Sequence, residues 1–474
     1  MNDKKRLFLN SAAVFFATVL DNAVFFIVNI IIARYLSLEH FGEYTTALGY
    51  ATFFTTFTDI GINGTLQRMI SKDPSRERQH FGNTIALKTV FSVGAFALMA
   101  LSLPFTNYSH STVCLTLIMG MFRIGNEYHQ TFTALFDVKE RFFLSSALRS
   151  TFCVSFLCAT VCVVLLRGDY FDLAWARFAV VAAFIVILFF ASFRIVMPSI
   201  KKETMRDFFL HSIPFGASSI MLIFYQRFNI ILLSLMHGSI QSGIFSNGYM
   251  FFSTLFFIPA NAVRVLLPYL YRADPKRDRE KFQFAFNFYS KVLLIGGFWI
   301  TLVIVICAQP IIRIIFGSKY DASIPVLQIS ALGIPFVFSV GSTIITSVDR
   351  QRVLTRIQLA GLAVNIAASF LMIRFWVSEG AAAASVLTYG FVNIAGIVYL
   401  SAAGVVSSRF YWLCFAELTA VSAGVWMLMT RLLPDLPLVP SALITSVLFL
   451  VPVAALMLRR NDLRIVREML GKTT

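Results

Sequence analysis

Fourteen apolar segments, each long enough to cross a lipid bilayer as a helix, follow one another along the chain with only short polar connections. A membrane-spanning helix needs about 20 mostly apolar residues. This pattern predicts an all-α polytopic membrane protein. The predicted spans are 8–34, 42–66, 82–104, 112–136, 143–166, 175–196, 208–236, 243–268, 286–308, 323–347, 353–375, 381–403, 410–432 and 438–458.

The composition excludes the soluble alternatives. Of 474 residues, 58% are hydrophobic, 14% are charged and 50 are Phe, with a mean hydropathy of +0.76. So few charges cannot solvate the surfaces of three soluble domains, which is what the length would otherwise suggest. All six Cys lie inside apolar runs and have no metal-ligand or disulfide spacing, so they are interpreted as packing residues and no metal site is expected.

The net charge of +16 is explained by topology. With the N-terminus in the cytoplasm, 31 of the 40 Lys and Arg fall at cytoplasmic ends of spans and seven, Arg177 among them, at outer ends. Cationic loops resist translocation, so this bias predicts that both termini are cytoplasmic. No basic patch is interleaved with aromatics on a soluble segment, which argues against a nucleic-acid partner.

An internal repeat appears when the chain is shifted by 201 residues. The shift aligns Gly42 with Gly243, and the loop around Asp73-Pro74 with that around Asp274-Pro275. The offset covers six spans, and an even number predicts parallel repeats, as in transporters that bind substrate between two halves. The predicted domains are a six-helix lobe at 1–205, a second at 206–405, and two further helices with a cytoplasmic tail at 406–474.

Discontinuities at matching places in such repeats indicate where the substrate binds. The second span contains Gly61-Ile62-Asn63-Gly64, and its repeat partner, the eighth, contains Phe257-Ile258-Pro259-Ala260-Asn261. The first span also carries polar residues at Asp21 and Asn29.

Ionisable residues inside spans are costly and should face protein or water. Five cations outnumber three acids, and burying excess positive charge suits an anionic ligand such as a diphosphate or acidic-sugar head group. It suits cationic drugs poorly. The cations are Lys88, Arg123, Arg227, Arg264 and Lys291, and the acids, which are candidates for ion coupling, are Asp21, Asp59 and Glu127.

These residues also have structural interpretations. Arg123 and Glu127 are four residues apart and can neutralise each other on one helix face. Lys88, Lys291 and Arg264 lie near enough to the predicted inner interface for their charges to reach the head groups. Asp21 can be held neutral by hydrogen bonds.

The connections between spans are too short to hold a soluble catalytic domain, and no phosphate-binding glycine-rich loop is present. We therefore expect a protein that is not an enzyme and needs no cofactor. An integral-membrane polymerase or ligase would need a larger outer loop.

Several short motifs resemble polysaccharide-unit flippases, the O-antigen and exopolysaccharide translocases of the multidrug/oligosaccharidyl-lipid/polysaccharide exporter superfamily. The similar segments are Asn29–Arg34, Phe41-Gly42-Glu43-Tyr44, Asp59-Ile60-Gly61, Gln226-Arg227-Phe228, Ser242-Gly243-Ile244-Phe245 and Ile315-Phe316-Gly317-Ser318-Lys319-Tyr320.

The resemblance implies translocation of an undecaprenyl-diphosphate-linked oligosaccharide across the bacterial cytoplasmic (inner) membrane for surface polysaccharide synthesis, such as lipopolysaccharide. It implies a cationic cavity between two lobes, coupling to H⁺ or Na⁺, and a polysaccharide polymerase as a partner besides membrane lipids. Arg227 carries over as a head-group contact, but Gln226 stands where relatives have an acid. Fourteen spans also fit lipid-linked peptidoglycan-precursor flippases, and small-molecule efflux antiporters share the superfamily.

Overall fold

The structure, a computed structural model, describes residues 3–259, 261–262, 279–339, 341, 344–345, 350–433 and 436–457. Helices make up almost all of this part of the chain. In order they are α1 (Asp3–Tyr35), α2 (Leu38–Thr55), α3 (Ile62–Lys72), α4 (Glu77–Ser102), α5 (His110–Val138), α6 (Phe142–Leu165), α7 (Tyr170–Ile195), α8 (Lys202–His237), α9 (Ser239–Thr254), α10 (Arg279–Ile315), α11 (Ser323–Ala331), α12 (Ile334–Val337), α13 (Gln351–Ala402), α14 (Arg409–Leu432) and α15 (Leu438–Met457).

The prediction of an all-α, multi-pass membrane protein is confirmed. Within the described ranges, nine helices are long and apolar enough to cross a membrane. One of them, α13, has 52 residues, and a straight helix of that length would be about 78 Å long, more than twice the thickness of a bilayer core.

The chain reverses within α13. Val377 has a φ of 47° and a ψ of −118°, which no α-helix contains. A Cβ placed on Gly380 would lie 2.1 Å from the carbonyl oxygen of Met372, so the backbone has folded back on itself within eight residues. The two spans predicted at 353–375 and 381–403 are therefore two helices joined by a very short turn.

The second predicted span is interrupted where its sequence predicts a break. Helix α2 ends at Thr55, a single 3₁₀ turn covers Thr56–Thr58, and Gly61 adopts a left-handed φ of 73° that glycine tolerates best. The chain then continues as the short amphipathic helix α3. Its apolar side chains at Ile62, Leu66 and Ile70 are buried in a core that also includes Phe81 and Phe132.

The repeat is visible in the helix bounds. Helices α2 and α9 begin 201 residues apart, at Leu38 and Ser239, and α9 ends at Thr254 before a turn at residues 255 and 256. The break in the eighth span thus lies at the place that matches the break after α2. The remainder of that span from residue 263, including Arg264, and the repeated loop at Asp274 lie outside the described residues.

Glycines at the matching positions of the repeat touch each other. A Cβ on Gly243 would lie 3.0 Å from the Cα of Gly42, and a Cβ on Gly42 would lie 2.2 Å from the carbonyl oxygen of Ser239. The Gly42–Gly243 contact therefore explains why side chains are excluded where the start of α2 meets the start of α9.

The chain forms two compact units. The first contains Met1–Met250 with Asn365–Ala381, and the second contains Phe251–Val364 with Ala382–Thr474. These units are defined by packing, whereas the predicted boundaries at 205 and 405 follow the sequence repeat and stay a prediction.

Candidate functional site

Lys88 is the most fully enclosed charge of the first unit. Its side chain, on α4, is 0% exposed. The Nζ atom donates to the main-chain oxygen of Glu127 (2.8 Å) and to the hydroxyl of Thr131 (2.6 Å), both on α5, and lies 3.4 Å from Oδ1 of Asn63 on α3. The interpretation that Lys88 extends to the interface is wrong, because the packing of α3, α4 and α5 turns the ammonium group inward.

Glu127 is shared between two cations. Its Oε2 lies 3.5 Å from Nζ of Lys88, and its Oε1 lies 3.5 Å from a terminal nitrogen of Arg123. The pairing of Arg123 with Glu127 that their spacing allows is present, but it is a single contact at the outer limit of hydrogen bonding. The guanidinium has five N–H donors, and its Nε is buried without an acceptor. Arg123 is therefore held loosely.

Asp59 stands at the start of α3. Its carboxylate accepts hydrogen bonds from the backbone N–H of Asn63 (3.0 Å) and from the side-chain amide of the same residue (2.7 Å). A carboxylate at a helix N-terminus is stabilised by the helix dipole. Asp59 thus has a structural task, and Asn63 connects it to Lys88.

Asp21 and Asn29, both on α1, lie apart from this cluster. The hydroxyl of Ser150 donates to Asp21 over 3.4 Å, and Arg149 and Cys153 on the same helix, α6, interact with its carboxylate. The side-chain amide of Asn29 donates to the main-chain oxygen of Phe25 one turn earlier, over 2.8 Å. Asp21 therefore belongs to a separate group of polar residues, formed by α1 and α6.

The remaining predicted cations are distributed over the chain. Arg227 is half-buried on α8, two residues before Asn229, whose side chain binds Ala381 and Ser369. Lys291 is half-buried on α10, in the second unit. Arg264 lies outside the described residues. The structure thus brings Lys88, Arg123, Glu127 and Asp59 together.

Arg177 is a buried charge that the sequence did not identify. Its place at a span end predicts an outer charge that only sets topology, but it is only 4% exposed. Its guanidinium lies over the rings of Tyr44 (5.3 Å), Phe122 (5.8 Å) and Phe156 (5.8 Å). In the described part of the chain no acid forms an ion pair with it, and cation–π contacts stabilise the charge instead. Arg177 also repels Arg123 electrostatically.

Asn63 and Thr131 are the neutral members of the cluster. The Thr131 hydroxyl lies within hydrogen-bonding distance of Asn63 Oδ1 (2.8 Å) and of the main-chain oxygen of Glu127 (3.0 Å). Asn63 was marked only by its place in the glycine-flanked break, and Thr131 by nothing in the sequence. In the cluster the two cations Lys88 and Arg123 thus meet the two acids Glu127 and Asp59.

An apolar cavity lies beside this cluster in the first unit. It has a volume of about 810 Å³ between α4, α5 and α7. The hydroxyls of Thr89 and Tyr128, both on its wall, hydrogen-bond to each other over 2.7 Å. These two hydroxyls thus satisfy each other, whereas the Ser92 hydroxyl on the same wall has no partner among the described residues. Among the described residues no group of His, Cys, Asp and Glu could hold a metal ion.

Comparisons with known proteins agree with this architecture. A family model described as "Polysaccharide biosynthesis protein" matches residues 7–274, more than half of the chain. A solved structure of the lipid II flippase MurJ in an inward closed conformation has 14% sequence identity and a TM-score of 0.76, with 95% of this chain and 98% of the flippase covered.

A second solved structure, an inward-facing multidrug resistance transporter of the MATE family in the MOP superfamily, has 10% identity and a TM-score of 0.63 over 85% of this chain and 96% of its own. At these identities the likeness shows the fold. A comparison with curated proteins finds no match.

Proposed function

Because the chain belongs to the polysaccharide biosynthesis protein family, we propose that it is a flippase for an undecaprenyl-diphosphate-linked oligosaccharide. It moves the head group from the cytoplasmic to the periplasmic leaflet of the bacterial inner membrane, for surface polysaccharide synthesis. The family match over residues 7–274 carries this proposal, and the transporter fold of the solved neighbours supports it. Both termini are cytoplasmic, as the distribution of Lys and Arg predicts.

Arginine side chains contact the diphosphate in this mechanism. Arg123 has most of its donors available, since its single ion-pair contact is 3.5 Å long. A guanidinium offers two parallel donors that match two oxygens of a phosphate. Arg227, Arg264, Lys291 and Asn29 provide further contacts, whereas the enclosed Lys88 acts indirectly.

Alternating access moves the head group while the lipid tail stays in the bilayer. Two repeats that rock against each other expose the site first to the cytoplasm and then to the periplasm. An ion gradient, of H⁺ or Na⁺, drives the cycle through the candidate carboxylates Asp21, Asp59 and Glu127. Of these, Asp59 caps α3 and Glu127 is held by two cations, whereas Asp21 contacts the hydroxyl of Ser150 on α6.

The test is complementation in a strain that lacks the gene. Arg123→Ala and Arg227→Ala should each reduce surface polysaccharide at least tenfold at normal membrane expression, because a charge-assisted contact to phosphate contributes about 1.5–3 kcal/mol. Arg313→Ala is the matched control, since Arg313 is half-exposed and binds Asp321. Full export by both variants would contradict the head-group assignment.

Leaflet-resolved analysis of the lipid intermediates tests the function itself. Deletion of the gene should cause lipid-linked oligosaccharide to accumulate on the cytoplasmic face. Single repeat units accumulating on the periplasmic face would instead indicate a polymerase or ligase, and unchanged lipid intermediates would favour small-molecule efflux.

A peptidoglycan-precursor flippase is the second candidate. The MurJ likeness, with 98% of that chain covered, favours it, and both substrates present a lipid diphosphate. Rescue of a strain depleted of its peptidoglycan-precursor flippase would identify this activity. Rescue of surface polysaccharide alone would support the first candidate.

A further inference from the structure

Glu127 lies where an anionic ligand of Arg123 would lie. We propose that Glu127 is an internal competitor of the head group: it holds Arg123 until a phosphate oxygen takes its place, and Lys88 keeps the released carboxylate neutralised. This inference rests on the proposed function for the identity of the natural ligand. The exchange itself concerns any oxyanion that reaches Arg123.

The geometry separates the two cations of Glu127 into a fixed and a releasable one. Lys88 is completely enclosed and has three acceptors besides the carboxylate, at 2.6–3.4 Å on α3 and α5. Among the described residues Arg123 has one polar partner, Glu127 at 3.5 Å, and its side chain is 17% exposed. An arriving anion can therefore reach Arg123 and cannot reach Lys88.

Electrostatics around Arg123 favour release toward an anion. Arg177 is buried nearby, is not paired with an acid in the described ranges, and repels the Arg123 guanidinium. A phosphate bound by Arg123 would reduce this repulsion. Because Lys88 stays 3.5 Å from Oε2 of Glu127, the carboxylate does not become an unpaired buried charge when Arg123 leaves.

Lys88 is thus a positioning residue that acts through Glu127. If Lys88 were absent, Glu127 would be neutralised by Arg123 alone and would retain it. If Glu127 competes with the anion, removing its charge should strengthen anion binding while it lowers the stability of the fold. If the cluster only stabilised the fold, the same change would not strengthen anion binding.

The experiment measures binding of inorganic pyrophosphate to the purified full-length protein in detergent by calorimetry, beside thermal unfolding of the same samples. We expect Glu127→Gln to bind pyrophosphate about three- to tenfold more tightly than wild type and to unfold at a lower temperature. Lys88→Met should bind about tenfold more weakly. Arg123→Met should lose binding.

Two further variants keep the test decisive. The double variant Lys88→Met/Glu127→Gln removes both partners, so it should fold even where Lys88→Met does not, and it should bind as tightly as Glu127→Gln.

Glu43→Gln is the matched control. Glu43 is also a buried carboxylate of the first unit, but its Oε1 accepts from the hydroxyls of Ser109 and Thr112, and no described basic side chain pairs with it. Its substitution should leave pyrophosphate binding unchanged.

Equal or weaker binding by both Glu127→Gln and the double variant would overturn the proposal, as would pyrophosphate binding that survives Arg123→Met. Absence of binding in wild type and Glu127→Gln alike would also overturn it. If the protein shows the expected binding pattern but does not restore surface polysaccharide, the exchange at Arg123 is supported and the proposed flippase function is contradicted.

Discussion

The interiors of the two units differ in their polar side chains. Glu127 lies on α5 in the first unit, and Gln328 lies on α11 in the second. Glu127 joins two cations. Gln328 instead donates one hydrogen bond to the main-chain oxygen of Val305 over 3.1 Å, on the wall of an apolar cavity of about 510 Å³. The first unit thus holds a charged cluster, whereas Gln328 of the second unit has neutral, apolar surroundings.

The two halves share their backbone more closely than their chemistry. Helices α2 and α9 begin 201 residues apart, and both are followed by a break at the same place. The lysines of the matching spans differ, however, because Lys88 is enclosed whereas Lys291 is half-buried. The two units thus share the start of their second and eighth spans and differ in the burial of their lysines.

The largest expected effect distinguishes these two lysines. Lys88→Met leaves Glu127 with one loose partner in a buried place, and breaking a buried ion pair costs about 3–5 kcal/mol. Lys291→Met removes a half-buried charge and should cost less than half of that. Thermal unfolding in detergent measures the stability of both variants. Equal losses of stability would contradict the difference between the enclosed Lys88 and the half-buried Lys291.

A smaller effect is expected when an acid is placed in the interior of the second unit. Gln328→Glu loses the hydrogen bond to Val305 and places an acid beside an apolar cavity. Such a loss costs about 1–3 kcal/mol at neutral pH. The loss should become smaller as pH falls, because the protonated carboxyl is neutral and can donate again. If the stability of this variant does not depend on pH, an ionised carboxylate is tolerated beside the cavity and the expectation is contradicted.

The smallest effect concerns the exposed ion pair of the second unit. Arg313 contacts Asp321 with two nitrogens, and this hydrogen bonding holds the pKa of Asp321 below its ordinary value of 3.8. A lowered pKa stabilises the fold above the ordinary value, and the contribution is lost as pH falls through the lowered one.

Asp321→Asn should therefore remove only a slight acid sensitivity, visible below about pH 4 when unfolding is followed against pH. The pair is exposed, and exposed pairs contribute little. Arg313→Gln should give the same curve, and a large loss at neutral pH in either variant would contradict this assignment.

The architecture was predictable because length, hydropathy and turn residues are local properties. The break at Gly61 and the separation of 353–375 from 381–403 both follow from the residues themselves. The resemblance carried by Phe41-Gly42-Glu43-Tyr44 also has a physical basis. Gly42 lies at a backbone contact, Glu43 accepts hydrogen bonds from two hydroxyls at the start of α5, and Tyr44 lies under Arg177.

The charged cluster was only partly predictable, because burial depends on which helix faces meet. Lys88 lies at a depth from which a lysine in lipid would extend to the interface, and only the packing of α3 against α4 and α5 turns it inward. Arg177 lies near the end of a predicted span, where a basic residue is interpreted as a signal of membrane topology and not as a buried charge. Its aromatic surroundings come from α2, α5 and α6, which no local pattern connects.

The turn at Val377 has a practical consequence. Gly380 lies against the backbone of Met372, and both Gly380 and the neighbouring Ser378 are buried, so the reversal leaves hardly any chain outside the two helices. A protease needs an extended segment of several residues, and this turn has none to offer. In limited digestion of the native protein, residues 351–402 should therefore remain one uncut fragment that carries two membrane crossings.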